Sequence, residues 1–94
     1  MIEKATDFDI SEYLDNDEVI QEYITQVLED GNMNEILEAL GNIAKAKGIT
    51  EVAQKAGLSR TSLYKVFEKD AKPRFETVLK VLNSFDIKLE ASSA

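Results

Sequence analysis

The chain has 94 residues, enough for one small hydrophobic core, and its formal net charge of -7 makes it acidic. Because it contains no cysteine and no histidine, it lacks thiolate metal ligands and the commonest general base, and we expect no catalytic residues, no metal site and no cofactor. Its first residues do not form a signal peptide and no apolar run approaches a membrane span, so we expect a cytoplasmic protein that is not an enzyme.

The acidic residues are concentrated in the first third of the chain. Residues 1–31 carry ten acids and one base, a net charge of -9, whereas residues 32–94 carry eight acids and ten bases, a net charge of +2. Such asymmetry between two parts of a chain predicts two different partners, and the alternative is a well-solvated helical surface that happens to be acidic. We therefore divide one compact domain into an acidic N-terminal helical segment, residues 1–31, and a core, residues 32–94.

Two helices are predicted in the acidic segment. Asp9 followed by Glu12 is the pattern of a capping box and predicts a short helix over "ISEYL". A longer helix begins near Asn16 and carries an apolar stripe from Val19 to Leu28 that we expect to pack mainly on the core. Helical spacing of apolar residues continues through the rest of the chain, so the fold is predicted to be all-α.

Four further helices are predicted in the core, at residues 32–48, 50–57, 59–67 and 75–85. Asn32, Thr50 and Ser59 are the expected N-caps of the first three. In the last helix, residues 75, 78, 79, 82 and 85 are expected to share one apolar side, which begins with Phe75. The alternation of apolar and polar residues in "IKLEA", residues 87–91, is a weak signal for a short C-terminal strand.

The stretch "VAQKAGLSRTSLYKVF", residues 52–67, meets the requirements of a helix-turn-helix. Gly57 is placed where the chain turns between two helices at about 90–120°, and a positive φ costs glycine little. Ala53 supplies the small side chain that is needed where the two helices cross. The positions that must be buried are all apolar: Val52, Ala56, Leu58, Leu63 and Val66.

The second helix of this motif leaves a polar outer side that suits the major groove of DNA. Arg60 matches the two acceptors of guanine, and Thr61 can meet a base through its hydroxyl or its methyl group. Hydroxyls and helix N-termini offer phosphate contacts, and the cations of the following loop flank the groove. The predicted DNA-binding residues are Thr50, Ser59, Arg60, Thr61, Ser62, Tyr64, Lys65, Lys69, Lys72 and Arg74.

An acidic protein is compatible with DNA binding when its acids point away from the duplex, because charges beyond about 8–10 Å are largely screened at physiological salt. One recognition helix reads few base pairs, so we expect a homodimer on a palindromic double-stranded DNA operator, with the strand at residues 87–91 or the last helix as its interface. The alternative for the motif is a packing unit in a helical adaptor that binds proteins and never touches DNA.

Longer stretches of the chain resemble known families. "SLYKVF", "KPRFETVLKVLNSF" and "DIKL" resemble the lambda-repressor-like, Xre-type helix-turn-helix proteins. "FDISEYLDNDEVIQEYITQVLEDG", "ALGNIAKAKGIT" and "GLSRTSLYKVF" resemble addiction-module antidote proteins, which are HigA-like antitoxins, and this resemblance extends over residues 8–89. Asp86 stands where these proteins usually carry glycine after the last helix, so a left-handed turn there would be strained.

The resemblance implies a lambda-repressor-like helix-turn-helix bundle with two extra N-terminal helices. It also implies a transcriptional repressor that controls its own operon and neutralises a basic toxin of the RelE/ParE superfamily. An acidic helical segment suits the positive surface of such a toxin, and the expected toxin contacts are Asp15, Glu18, Glu22 and Glu29. A stand-alone phage-type repressor without a toxin is the alternative within the same chemistry.

Overall fold

The computed structural model describes residues 9–93 and is all-helical over that range, which confirms the predicted all-α class. A 3-10 turn at Ile10–Tyr13 precedes five α-helices. These are α1 (Asp17–Asp30), α2 (Met33–Lys47), α3 (Ile49–Ala56), α4 (Arg60–Val66) and α5 (Phe75–Ser84). Within the described range, no helix is long and apolar enough to cross a membrane.

Helix α2 lies at the centre of the fold. The 3-10 turn, α1 and α3 pack against it, while α4 and α5 pack against α3. The most deeply buried large side chains come from α2, α3, α4 and α5 and the residue after it: Leu37, Ile43, Val52, Leu63, Val81 and Phe85. Ile20 and Ile24 of α1 belong to the same hydrophobic cluster, so the acidic segment and the rest of the chain share one core.

Two helices begin at the side chains that are predicted to cap them, and a third begins at Asn16, where the start of a helix is predicted. Asn16, Asn32 and Ser59 each accept a hydrogen bond from the backbone N–H three residues later, at 2.9, 2.9 and 3.0 Å. Each bond satisfies an N–H group that has no acceptor within its own helix. The starts of α1, α2 and α4 are therefore determined by local side chains.

One predicted helix start differs from the structure. The short first helix does begin at Asp9, whose side chain accepts the N–H of Ser11 at 3.1 Å, and it is a 3-10 helix. Thr50 does not cap α3, because this helix begins at Ile49 and Thr50 lies in its first turn. Gly48, with a φ of 105°, ends α2 and directly precedes α3, which leaves no residue between the helices to act as a side-chain cap.

Beyond α5 the chain turns at Asp86 and continues without regular structure to residue 93. Asp86 has a φ of 64°, a left-handed conformation that aspartate tolerates better than most residues other than glycine. The N–H of Ile87 bonds to the carbonyl of Leu82 at 3.1 Å and closes the end of the helix. Residues 87–91 form no strand within this chain, because residues 9–93 provide no second strand to pair with their backbone.

Two apolar side chains that helical spacing predicts to be buried are exposed instead. Phe75 is 67% exposed and Leu28 is 45% exposed. Val81 and Phe85, in and just after the second half of α5, are buried against the rest of the core. The first turn of α5 and the last turn of α1 lie outside this well-packed region.

Candidate functional site

The turn between α3 and α4 has the geometry that the sequence predicts. Gly57 has a φ of 73° and a ψ of 30°, and the N–H of Leu58 bonds back to the carbonyl of Ala53 at 2.9 Å. A Cβ at Gly57 would meet no atom within 4 Å, so the left-handed backbone and not a lack of space requires glycine here. Ala53 is buried, as expected for the point where the two helices cross.

Helix α4 has one buried and one exposed side. Leu63 and Val66 are buried in the core. Phe67, at the end of α4, packs against Gly41 of α2, where an added Cβ would lie 3.4 Å from the Phe67 side chain. The exposed side carries Arg60, Thr61, Tyr64 and Lys65. Close packing of one side determines the direction in which the polar side projects.

All ten side chains that are predicted to bind DNA are exposed. Six belong to α4 and its N-cap, three follow α4 in the chain, and Thr50 lies in the first turn of α3. The hydroxyl of Ser59 accepts the N–H of Ser62 and donates to the hydroxyl of Ser62, both at 3.0 Å. These two hydroxyls therefore already take part in the helix cap.

The loop after α4 is fastened to α2 by a pair of hydrogen bonds for which the sequence gives no signal. The side-chain amide of Asn34 donates to the carboxylate of Asp70 at 3.0 Å, and the N–H of Asp70 donates to the side-chain oxygen of Asn34 at 2.7 Å. Asp70 has a φ of 64° at this point. The pair restrains the loop that carries Lys69 and Lys72.

Between residues 59 and 74 the chain carries five bases and two acids, so this stretch is cationic within an acidic protein. None of the five bases forms an ion pair with a residue in the range 9–93. The bases that are paired lie elsewhere: Lys45 with Asp9 at 2.6 Å, Lys47 with Asp17 at 3.3 Å, and Lys55 with Glu51 at 3.5 Å. We term residues 59–74 the recognition surface, since its positive charges remain available to an anionic ligand.

Lys45 lies between the acidic segment and α4, a position that sequence reasoning missed. The Asp9 carboxylate raises the pKa of Lys45, and Glu12 and Tyr64 lie close enough to raise it further. Lys45 and Ser11 in turn lower the pKa of Asp9 below 3.8.

The four acids that are predicted to contact a toxin, Asp15, Glu18, Glu22 and Glu29, are all exposed. Glu18, Glu22 and Glu29 share one side of α1, since intervals of four and seven residues return to the same side of a helix. None of the four forms an ion pair with another described residue. We term these four residues the acidic stripe.

Residues 9–93 contain no group of acids that could hold a metal ion. The geometry therefore defines a small all-helical protein with a cationic recognition surface on one short helix and its loop. A separate acidic stripe lies on its first long helix.

The chain belongs to the family of probable addiction module antidote proteins, whose family model matches residues 4–93. An uncharacterized protein of Haemophilus influenzae is 37% identical over 94 residues, which are 100% of this chain and 97% of that protein. No solved structure matches the chain. The antidote family expected from the sequence is confirmed, and an antidote implies a toxin as its partner.

Proposed function

We propose that this antidote is a DNA-binding repressor of its own operon and that it neutralises a RelE/ParE-like toxin, in the manner of a HigA-like antitoxin with a lambda-repressor-like domain. The observation that carries the DNA-binding half is the recognition surface, where five bases are exposed and form no ion pair with residues 9–93. A short helix that is packed on one side and follows a tight turn suits insertion into the major groove.

In the proposed complex the first turn of α4 meets the base edges. Arg60 donates two hydrogen bonds to the O6 and N7 atoms of guanine, and Thr61 contacts a neighbouring base. Tyr64 and Lys65 lie one turn further along α4 and reach a base or a phosphate. The remaining predicted residues bind phosphates on either side of the groove: Thr50, Ser59, Ser62, Lys69, Lys72 and Arg74.

Two copies of the chain are needed in this proposal, because one short helix reads only a few base pairs. A homodimer places two copies of α4 about 34 Å apart, one DNA turn, on a palindromic operator. The candidate dimer interfaces are α5 and the segment at residues 87–91, which would form a strand only by pairing with the same segment of the second copy. Light scattering of the free protein and of its operator complex measures this, and a monomer in both states would contradict it.

The toxin-binding half of the proposal assigns the acidic stripe to a basic toxin. The four carboxylates are exposed and form no ion pair with another described residue, so their charges act on an approaching cationic protein. Charge complementarity of this kind speeds association more than it strengthens the final complex. The family supplies the toxin as a partner, and the charge of the stripe supports a basic one.

The test of DNA binding is a gel-shift titration on a duplex that carries the promoter region of the protein's own operon, with a duplex of scrambled sequence as the control. We expect half-saturation of the promoter duplex at a concentration at least about 10³-fold lower. Equal affinity for the two duplexes would contradict operator recognition. Binding to neither duplex, together with intact toxin binding, would identify the chain as a protein-binding adaptor.

A further inference from the structure

An apolar groove lies between α1, α2 and α5. Its volume is about 270 Å³, and its walls include Leu28 of α1, Met33 of α2, and Phe75 and Val78 of α5. Leu89, from the segment after α5, also lines it. No residue of α3 or α4 does so, although Pro73, from the loop of the recognition surface, also lines the groove.

The exposed apolar side chains that line the groove, which we term its floor, resemble a part of the core that no other described residue covers. Leu28, Met33, Phe75 and Leu89 are between 45% and 67% exposed, and they are four of the six exposed large hydrophobic side chains in residues 9–93. Leu28 and Phe75 also continue the apolar stripes of their helices. Apolar side chains that are both exposed and contiguous in a small protein mark an interaction site.

Acidic side chains outnumber basic ones around this apolar floor. Three depressions adjoin the groove, since one shares Met33 with it, a second shares Ile24, Leu28 and Leu89, and a third shares Pro73. Their walls carry six acids and three bases, namely Glu29, Glu35, Glu38, Asp70, Asp86 and Glu90 with Lys65, Lys72 and Lys88. An apolar floor with a negative rim complements a segment that has apolar anchors and basic flanks.

We propose that the groove binds an amphipathic helix of the toxin, with apolar side chains on its floor and lysine or arginine side chains against its rim. This inference rests on the toxin partner of the proposed function. A second copy of the chain is a poorer occupant, because a twofold contact through the groove would bring two negative rims together. Since α3 and α4 do not line the groove, a helix bound in it contacts the recognition surface only at the loop, beside Pro73.

The experiment measures the affinity of the full-length antidote for the toxin encoded beside it, using isothermal titration calorimetry. Met33→Glu and Phe75→Glu each place a charge in the apolar floor, at positions that are already exposed. We expect each substitution to weaken toxin binding at least about thirtyfold, as for a side chain near the centre of an interface. Circular dichroism and thermal unfolding check that both variants remain folded.

Gln54→Glu is the control, because Gln54 is an exposed residue of α3, a helix that does not line the groove. We expect its toxin affinity to stay within about twofold of the wild type. If the wild type binds toxin and both folded groove variants bind it equally well, the groove proposal is overturned while the toxin function stands. If the wild type does not bind the toxin, the proposed function itself is overturned.

Light scattering tests whether a second copy of the chain, and not the toxin, occupies the groove. A groove variant that becomes monomeric while the wild type is dimeric, and that still binds toxin with wild-type affinity, assigns the groove to a second copy and overturns the proposal. Retention of the wild-type oligomeric state with loss of toxin binding supports it.

Discussion

The recognition surface and the apolar groove differ in physical character although both adjoin α2. The recognition surface presents polar and cationic side chains on a short helix and the loop after it. The groove presents apolar side chains inside an acidic rim. The formal net charge of -7 is that of the whole chain, and it does not indicate the local charge of either surface. An anionic polymer is bound chiefly through charge, whereas a folded partner in an apolar groove is bound chiefly by removing surface from water.

Salt concentration should separate the two surfaces most strongly. Lys69, Lys72 and Arg74 provide about six cationic phosphate contacts in a dimer, so the operator dissociation constant should rise about 10³-fold between 50 and 200 mM salt, because bound counterions are released from DNA. The toxin dissociation constant should change far less over the same range, because the groove is apolar. Fluorescence anisotropy titrations measure both dissociation constants. An equal dependence of the two constants on salt concentration would contradict the proposed difference between the two surfaces.

Arg60→Ala should damage operator recognition alone. Loss of two hydrogen bonds to guanine should cost about 1–3 kcal/mol on the cognate operator and relax the preference at one base pair. Lys72→Ala is the control, since loss of a phosphate contact should weaken binding to all sequences alike and lower the salt slope by about 1. Titrations against single-base operator variants measure this. Unchanged affinity and unchanged preferences in Arg60→Ala would exclude direct readout by this side chain.

Asn34→Ala tests the connection between α2 and the recognition surface. It removes both hydrogen bonds to Asp70, so the free energy of unfolding should fall by about 1–2 kcal/mol and operator binding should weaken as the loop loosens. Asn83→Ala, at an exposed position of α5, is the control and should change stability by less than about 0.5 kcal/mol. Urea denaturation measures both, and equal stability of the two variants would show that the bridge contributes nothing.

Replacing the acidic stripe, Asp15, Glu18, Glu22 and Glu29, by asparagine and glutamine should slow toxin association about tenfold at low salt. The dissociation rate should change less than the association rate, because the apolar groove holds the bound toxin in our proposal and only Glu29 of the four acids also belongs to its rim. The fold and operator binding should remain intact. Stopped-flow association rates at several ionic strengths measure the effect, and a wild-type rate at low salt would mean that the stripe only keeps the surface solvated.

Asp9→Asn should produce the smallest effect, an operator affinity about threefold higher, because it frees Lys45 beside Tyr64 to interact with phosphate. Asp17→Asn is the control, since it frees Lys47 instead and should leave operator affinity unchanged. The Asp9 pKa is lowered in the folded protein, so the ion pair stabilises the fold above about pH 3.8 and this contribution is lost as the pH falls through the lowered value. Urea denaturation of the wild type and Asp9→Asn between neutral and acidic pH should therefore show a stability difference that shrinks in acid.

Local features of this fold could be predicted from the sequence because each depends on neighbouring residues. The caps at Asn16, Asn32 and Ser59 act on N–H groups three residues away, and the turn at Gly57 depends on its own backbone. The buried and exposed sides of α4 follow from helical spacing alone. The start of α3 could not be predicted correctly, because Gly48 is shared by two helices and excludes Thr50 from the cap position.

The remaining features depend on contacts between distant parts of the chain. The Asn34–Asp70 bridge and the Asp9–Lys45 ion pair each join residues that are 36 positions apart, and neither has a local signal. Helical spacing likewise predicts that Phe75 faces inward, but only the packing of α1, α2 and α5 decides whether anything covers it. The exposed polar side of α4 could therefore be predicted from the sequence, whereas the apolar groove could not.

Helix α4 is too short to be stable outside the folded protein. Its seven residues are fewer than the roughly 12–15 that an isolated helix needs to persist in water. Leu63, Val66 and Phe67 must stay packed for α4 to exist, so it has no independent lifetime. Helix α4 therefore forms and unfolds with the core, and in the proposed complex its base contacts exist only while that core is folded.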